Sequence, residues 1–117
     1  MKKLEVRKSL IHGKGVFATE DIQQGELLET CPYVILPIKK GELSDLFADY
    51  RFTWPNNTDW KYLVLPLGYG CIYNHSFDNN AHFISNEETD MFEFYARRDI
   101  RKGEEILTYY GDVCFNN

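Results

Sequence analysis

Basic charge, cysteine and long apolar runs are all scarce in this sequence, and each shortage closes off a class of function. Lys and Arg number 13 against 18 Asp and Glu, for a net charge of −5. Binding to phosphate backbones needs a basic face, so nucleic acid is excluded as the main partner. A basic protein segment is the better electrostatic match. The three cysteines, Cys31, Cys71 and Cys114, are widely spaced with no C-x-x-C pair. Neither a disulfide framework nor a four-cysteine zinc site is expected, and no metal is assigned. No apolar run approaches the roughly 20 residues of a membrane-spanning helix. Met1-Lys2-Lys3 leads straight into Leu4-Glu5-Val6-Arg7, leaving no apolar core for a signal peptide. Those two absences predict a cytoplasmic protein with no membrane partner.

What is present is an ordinary globular composition with an aromatic surplus. Apolar residues make up 44% and charged residues 26%, which argues against disorder. The 117 residues suffice for one domain with one core. Aromatic residues reach 15%, from 8 Phe, 8 Tyr and 2 Trp. That share points to a β-rich fold, an aromatic-lined pocket, or both. No internal repeat is apparent.

Periodicity and turn chemistry predict many short strands and one small helix. Leu4 to Leu10 alternates in strand fashion, interrupted by Lys8. Gly13-Lys14-Gly15 reads as a turn, and Val16-Phe17-Ala18 as a second strand. Asp21 to Glu26 is a turn whose Gly25 suits positive φ. Pro32 and Pro37 confine Leu27 to Ile38 to extended chain. Leu43, Leu46, Phe47 and Tyr50 fall at i, i+3, i+4 and i+7, which predicts a short amphipathic helix over 42–50. Trp54 to Asp59 is a loop by composition, and Tyr62 to Leu65 is a short apolar run. Ala81 to Ser85 and Met91 to Arg97 flank the acidic turn Asn86 to Asp90 as strands. Arg101 to Glu104 is a turn, and Ile106 to Tyr110 is a last strand. The fold class is therefore all-β, or β-dominated.

Three segments carry possible chemistry. Gly13-Lys14-Gly15-Val16-Phe17-Ala18 has the letters of a dinucleotide fingerprint. That fingerprint needs a full crossover helix behind it, and Gly25 arrives too soon for one. Two glycines in a hairpin turn are the plainer account; they also let a ligand approach bare backbone. Asn74-His75-Ser76-Phe77-Asp78-Asn79-Asn80-Ala81-His82 is the densest polar cluster. His75, His82 and Cys71 lack tetrahedral ligand spacing. Asn and Ser in such runs usually satisfy their own backbone, although an Asn amide can also bind a polar ligand. Tyr109-Tyr110 ends the last strand, where adjacent residues face opposite sides, so one can pack while the other lines a pocket.

In order and spacing, the G-x-G-V-F-A hairpin, the N-H-S-x-x-x-N-A block and the ending Gly103-Glu104-Glu105-Ile106-Leu107-Thr108-Tyr109-Tyr110-Gly111 resemble the SET domain of protein-lysine methyltransferases. Ile22-Gln23-Gln24-Gly25-Glu26 and Ile100-Arg101-Lys102-Gly103-Glu104 match that family's paired I-x-x-G-E turns. The resemblance spans residues 2–112 as one domain, with 113–117 as a tail, and it is to compact stand-alone members. It implies several small sheets with a C-terminal pseudoknot, braced by Ser76 and Asn80. It implies transfer of methyl from S-adenosyl-L-methionine to a lysine ε-amine of a protein substrate. Lys14, Gly15, Val16, Asn74, His75 and Tyr110 would bind the cofactor, with Tyr110 as the catalytic tyrosine. The substrate lysine has an ordinary pKa near 10.4, and a desolvating aromatic channel lowers it toward the neutral, nucleophilic form. Tyr50, Tyr69 and Phe115 are the expected channel walls, and the substrate is expected to present its lysine in a basic segment. Larger members close the channel with a cysteine-rich segment that has no counterpart here, and Cys114 stands where many carry a second aromatic. A second subunit would supply the missing wall, which suggests a homodimer. The alternative is an inactive SET-like module that binds a basic partner; Asn74, His75 and Tyr110 together favour the enzyme.

Overall fold

The computed structural model describes residues 3–36, 52–55 and 62–109. These form β1 (Leu4–Lys8), β2 (Lys14–Ala18), β3 (Leu27–Cys31), β4 (Tyr33–Ile35), β5 (Phe52–Trp54), β6 (Tyr62–Pro66), β7 (Asn74–His75), β8 (Ala81–Asn86), β9 (Met91–Ala96) and β10 (Glu105–Thr108). They assemble into three small sheets, ordered β1-β2-β10-β7, β3-β9-β8 and β4-β6-β5. The all-β expectation is met, with one correction. Among the described residues there is no helix. The segment expected to be helical, 42–50, lies outside them.

The first strand stops two residues short of the expected Leu10. Ser9 ends it: its Oγ accepts the Ile11 N–H at 2.9 Å and the His12 N–H at 3.4 Å, and its own N–H donates to Gly13 O at 2.8 Å. A serine side chain that satisfies the next backbone donors competes with the ladder and closes a turn. Leu10 is left fully exposed at the tip. Lys14 and Gly15, expected in the turn, instead open β2, which pairs from Lys8↔Lys14 to Leu4↔Ala18.

In the second sheet, β9 runs between β3 and β8 and alternates strictly, with Phe92, Phe94 and Ala96 inward. Phe92 and Phe94 are 0% exposed. Burying such a ring contributes on the order of 1.5–3 kcal/mol. Trp54, expected at the start of a loop, closes β5 and packs edge-on to Phe92 with centroids 5.1 Å apart. Tyr33, Phe52 and Phe83 complete this ring cluster. Much of the aromatic surplus is therefore core.

The paired I-x-x-G-E turns belong to a longer repeated motif, and the backbone shows what it does. Ala18-x-x-Asp21-Ile22-x-x-Gly25-Glu26 and Ala96-x-x-Asp99-Ile100-x-x-Gly103-Glu104 clasp each other reciprocally. Ile22 and Ile100 exchange backbone hydrogen bonds, both at 2.8 Å. Asp99 Oδ1 accepts the Gln24 N–H at 2.8 Å, and Asp21 Oδ1 accepts the Lys102 N–H at 2.9 Å. Gly25 N–H donates to Ala96 O and Gly103 N–H to Ala18 O, each at 2.8 Å. Both glycines sit at positive φ, 86° and 91°, a conformation that penalises any Cβ. The clasp joins the first two sheets and fixes where β10 begins.

Candidate active site

β10 pairs antiparallel with β2 on one edge and parallel with β7 on the other. The parallel register, Leu107↔Asn74 and Thr108↔His75, sets the Asn-His pair beside the C-terminal strand. Asn80 locks this pairing. Its Nδ2 donates to Glu105 O and its Oδ1 accepts the Leu107 N–H, both at 2.8 Å, and it is 1% exposed. Only an amide offers a donor and an acceptor together in this way. Ser76 contributes its backbone N–H to Thr108 O at 2.9 Å, while its Oγ caps the following turn at Asp78.

Asn74 is the junction. Its Nδ2 donates to Glu105 Oε2 at 2.7 Å, to His12 O at 3.1 Å and to Lys14 O at 3.2 Å. Two N–H bonds thus serve three acceptors, and the nitrogen end of the amide is fully committed. Among the described residues nothing donates to its Oδ1. Gly15 makes the approach possible: a Cβ there would lie 2.2 Å from Glu105 Oε2 and 3.1 Å from Asn74 Nδ2. Lys14 is exposed at the rim, and Val16 is 0% exposed with its side chain in the core.

The His75 ring packs at 5.1 Å from both Phe77 and Tyr109, which lie 5.5 Å from each other. Phe77 is 81% exposed, so this cluster presents aromatic surface beside Asn74. Desolvation holds the His75 imidazole below its ordinary pKa of 6.5, so it is neutral at pH 7. Tyr69 is half-buried against the core, and its backbone N–H points to Glu29 Oε2 at 3.5 Å. Glu29, 4% exposed, also accepts from the Tyr73 hydroxyl at 2.6 Å. Burial pushes the Cys71 thiol up to about 12, so it is inert as a nucleophile. Among the described residues no group of His, Cys, Asp and Glu is arranged to hold a metal. Tyr50, Tyr110 and Phe115 lie outside the described residues.

Lys14, Gly15 and Asn74 are therefore brought together, with His75 beside them. Glu105, Ser9 and Phe77 are additions that sequence reasoning missed. No sequence signal singled out Glu105: Glu104 belongs to the turn before β10, and alternation sets Glu105 on the face opposite buried Ile106 and Thr108.

A family model described as the SET domain matches residues 13–111. The chain belongs to the SET-domain family. A Plasmodium falciparum protein assigned as a histone methyltransferase has a crystal structure 36% identical in sequence; it covers 95% of both chains with a TM-score of 0.78. The histone-lysine N-methyltransferase of Schizosaccharomyces pombe, specific for H3 lysine-37, is 27% identical over 93% of this chain and 74% of its own length. A chain of a humanized mutant of the Chaetomium thermophilum Polycomb Repressive Complex 2, bound to the inhibitor GSK126, shares the fold at 24% identity and a TM-score of 0.69. That match covers 95% of this chain and 15% of that one. This SET domain is a protein-lysine N-methyltransferase that uses S-adenosylmethionine. The enzyme reading stands over the inactive binding module. The cytoplasmic expectation does not stand, because the fission-yeast relative acts on a histone, a nuclear substrate. That no helix among the described residues is long and apolar enough to cross a membrane does not separate cytoplasm from nucleus.

Proposed function

We propose that the cofactor lies against the junction of the β1–β2 hairpin, β7 and β10, with Lys14, Gly15, Val16, Asn74, His75 and Tyr110 around it. The observation that carries this reading is the Asn74 amide, which hydrogen-bonds Lys14 O and Glu105 at once and so joins all three family motifs. The residues fit the group chemically. Lys14 offers a cation at the rim for a carboxylate, Asn74 Oδ1 accepts from an amine or hydroxyl, and the His75, Phe77 and Tyr109 rings offer flat faces to a purine. When bound, S-adenosylmethionine supplies a methyl group on a positively charged sulfur.

The protein's own part is orientation and desolvation. Tyr110 follows Tyr109 in the sequence, and its hydroxyl is the catalytic group that aligns the lysine amine. Tyr50, Tyr69 and Phe115 form the walls that strip water from the ammonium and favour its loss of a proton. The substrate is a lysine in a basic, histone-like segment added along a sheet edge, matched to a net charge of −5 and to the exposed acidic turn at Glu87, Glu88 and Asp90.

The test is calorimetric titration of S-adenosylhomocysteine, with Asn74→Ala in parallel, followed by methylation of a histone H3 peptide by the native enzyme and by Tyr110→Phe. Binding lost in Asn74→Ala and turnover lost in a folded Tyr110→Phe are expected. Native binding by Asn74→Ala would overturn the placement of the cofactor, and native turnover by Tyr110→Phe would overturn the role of Tyr110.

A further inference from the structure

We propose that Glu105 is a positioning residue that sets the Asn74 amide for the cofactor, acting through a closed ring of hydrogen bonds with Ser9. The proposal rests on the reading of Asn74 as a cofactor residue. Glu105 Oε1 accepts the Ser9 hydroxyl at 2.7 Å, and Oε2 accepts Asn74 Nδ2 at 2.7 Å. Ser9 Oγ in turn accepts the N–H groups of Ile11 and His12, and the His12 carbonyl accepts from Asn74 Nδ2. The ring therefore returns to the amide from which it started.

The consequence is directional. Three acceptors face the Asn74 nitrogen, so the amide cannot flip without setting its oxygen against a carboxylate and two carbonyls. Oδ1 is thereby aimed away from the hairpin, where it accepts from a ligand. Glu105 is charged, and hydrogen bonds to a charged acceptor are about twice as strong as neutral ones. It is the strongest of the three anchors and the only one carried by a side chain. Gly15 belongs to the same device, since any side chain there would displace the carboxylate.

Glu105→Ala, Glu105→Gln and Ser9→Ala are compared with the native chain by calorimetric titration of S-adenosylhomocysteine, beside thermal melts. Loss of a charge-assisted bond that orients the amide predicts roughly tenfold to hundredfold weaker binding for Glu105→Ala. Glu105→Gln gives an intermediate loss: its amide oxygen still accepts from Asn74, but the bond is neutral, and its nitrogen meets a Ser9 Oγ that already accepts from Ile11 and His12. In nuclear magnetic resonance, the Asn74 side-chain amide protons exchange faster in Glu105→Ala than in the native chain. Native affinity in a folded Glu105→Ala overturns the proposal, and so does a Glu105→Gln that binds no better than Glu105→Ala, which would show that an acceptor at this place does not orient the amide. Should Glu105→Ala not fold, Ser9→Ala decides: weaker binding with an unchanged melt supports the ring, and unchanged binding refutes it. Native binding by Asn74→Ala is a separate outcome that removes the underlying cofactor reading and the proposal together.

Discussion

Gly15→Ala puts one methyl group where the structure has no room for it. The added carbon would lie 2.2 Å from Glu105 Oε2, 2.9 Å from Glu105 Cδ and 3.1 Å from Asn74 Nδ2. Gly15 is not among the glycines at positive φ, so alanine meets no backbone penalty and the effect is steric. Glu105 must retreat by roughly 1 Å, which carries its two 2.7 Å bonds out of good hydrogen-bonding geometry. Each such bond to a charged group is worth about 1.5–3 kcal/mol, and partial relaxation recovers some of it. A net loss of about 2–4 kcal/mol follows, which lowers the melting temperature of a domain this size by roughly 10–25 °C. Thermal and urea denaturation followed by circular dichroism measure it directly. The double variant Gly15→Ala/Glu105→Ala is the internal check: with the carboxylate gone the methyl fits, and the pair should cost no more than Glu105→Ala alone. A Gly15→Ala chain that melts within about 2 °C of native refutes the packing argument, and so does a double variant whose costs simply add.

Two further expectations concern the same strand pair. Asn80→Ala leaves the Leu107 N–H and the Glu105 carbonyl without their side-chain partner and should cost about 2–4 kcal/mol in urea unfolding. Asn80→Asp should do little better, because its second oxygen faces the Glu105 carbonyl; native stability in either variant contradicts the clamp. His75 carries a pH dependence of definite sign. Its folded pKa lies below the ordinary 6.5, so between the two values the unfolded chain holds more protons, and stability falls as pH drops through that window. Above about 6.5 it contributes no slope. Denaturation between pH 7 and 5 should therefore show a steeper loss in the native chain than in His75→Gln, and equal slopes would mean that the ring is not desolvated.

Reading strands from alternation worked best where one face meets a core. Met91 to Arg97, expected as a strand, forms β9 over Met91–Ala96 and alternates strictly, with Phe92 and Phe94 inside. It failed where a side chain outcompeted the ladder, as Ser9 does at the end of β1. It also failed where a loop-like composition concealed a packed ring, as at Trp54. The two-residue strand β7 has no periodicity to detect; it exists because Asn80 and the backbone of Leu107 and Thr108 hold it.

For the site, residue type carried the reading as far as chemistry allows. The hairpin glycines, the Asn74 block and the tyrosine ending, in fixed order and spacing, resemble the SET domain, and the family model matched to residues 13–111 agrees. Spacing along the chain could not reveal that Asp21 and Asp99, 78 positions apart, cap each other's turns, or that Glu105 shares an anion between Ser9 and Asn74. Those contacts join residues that are distant in sequence, and a hydrogen bond depends on position to within a few tenths of an ångström. Composition and pattern decide which groups are available and which face turns inward. Only the folded backbone decides which of them meet.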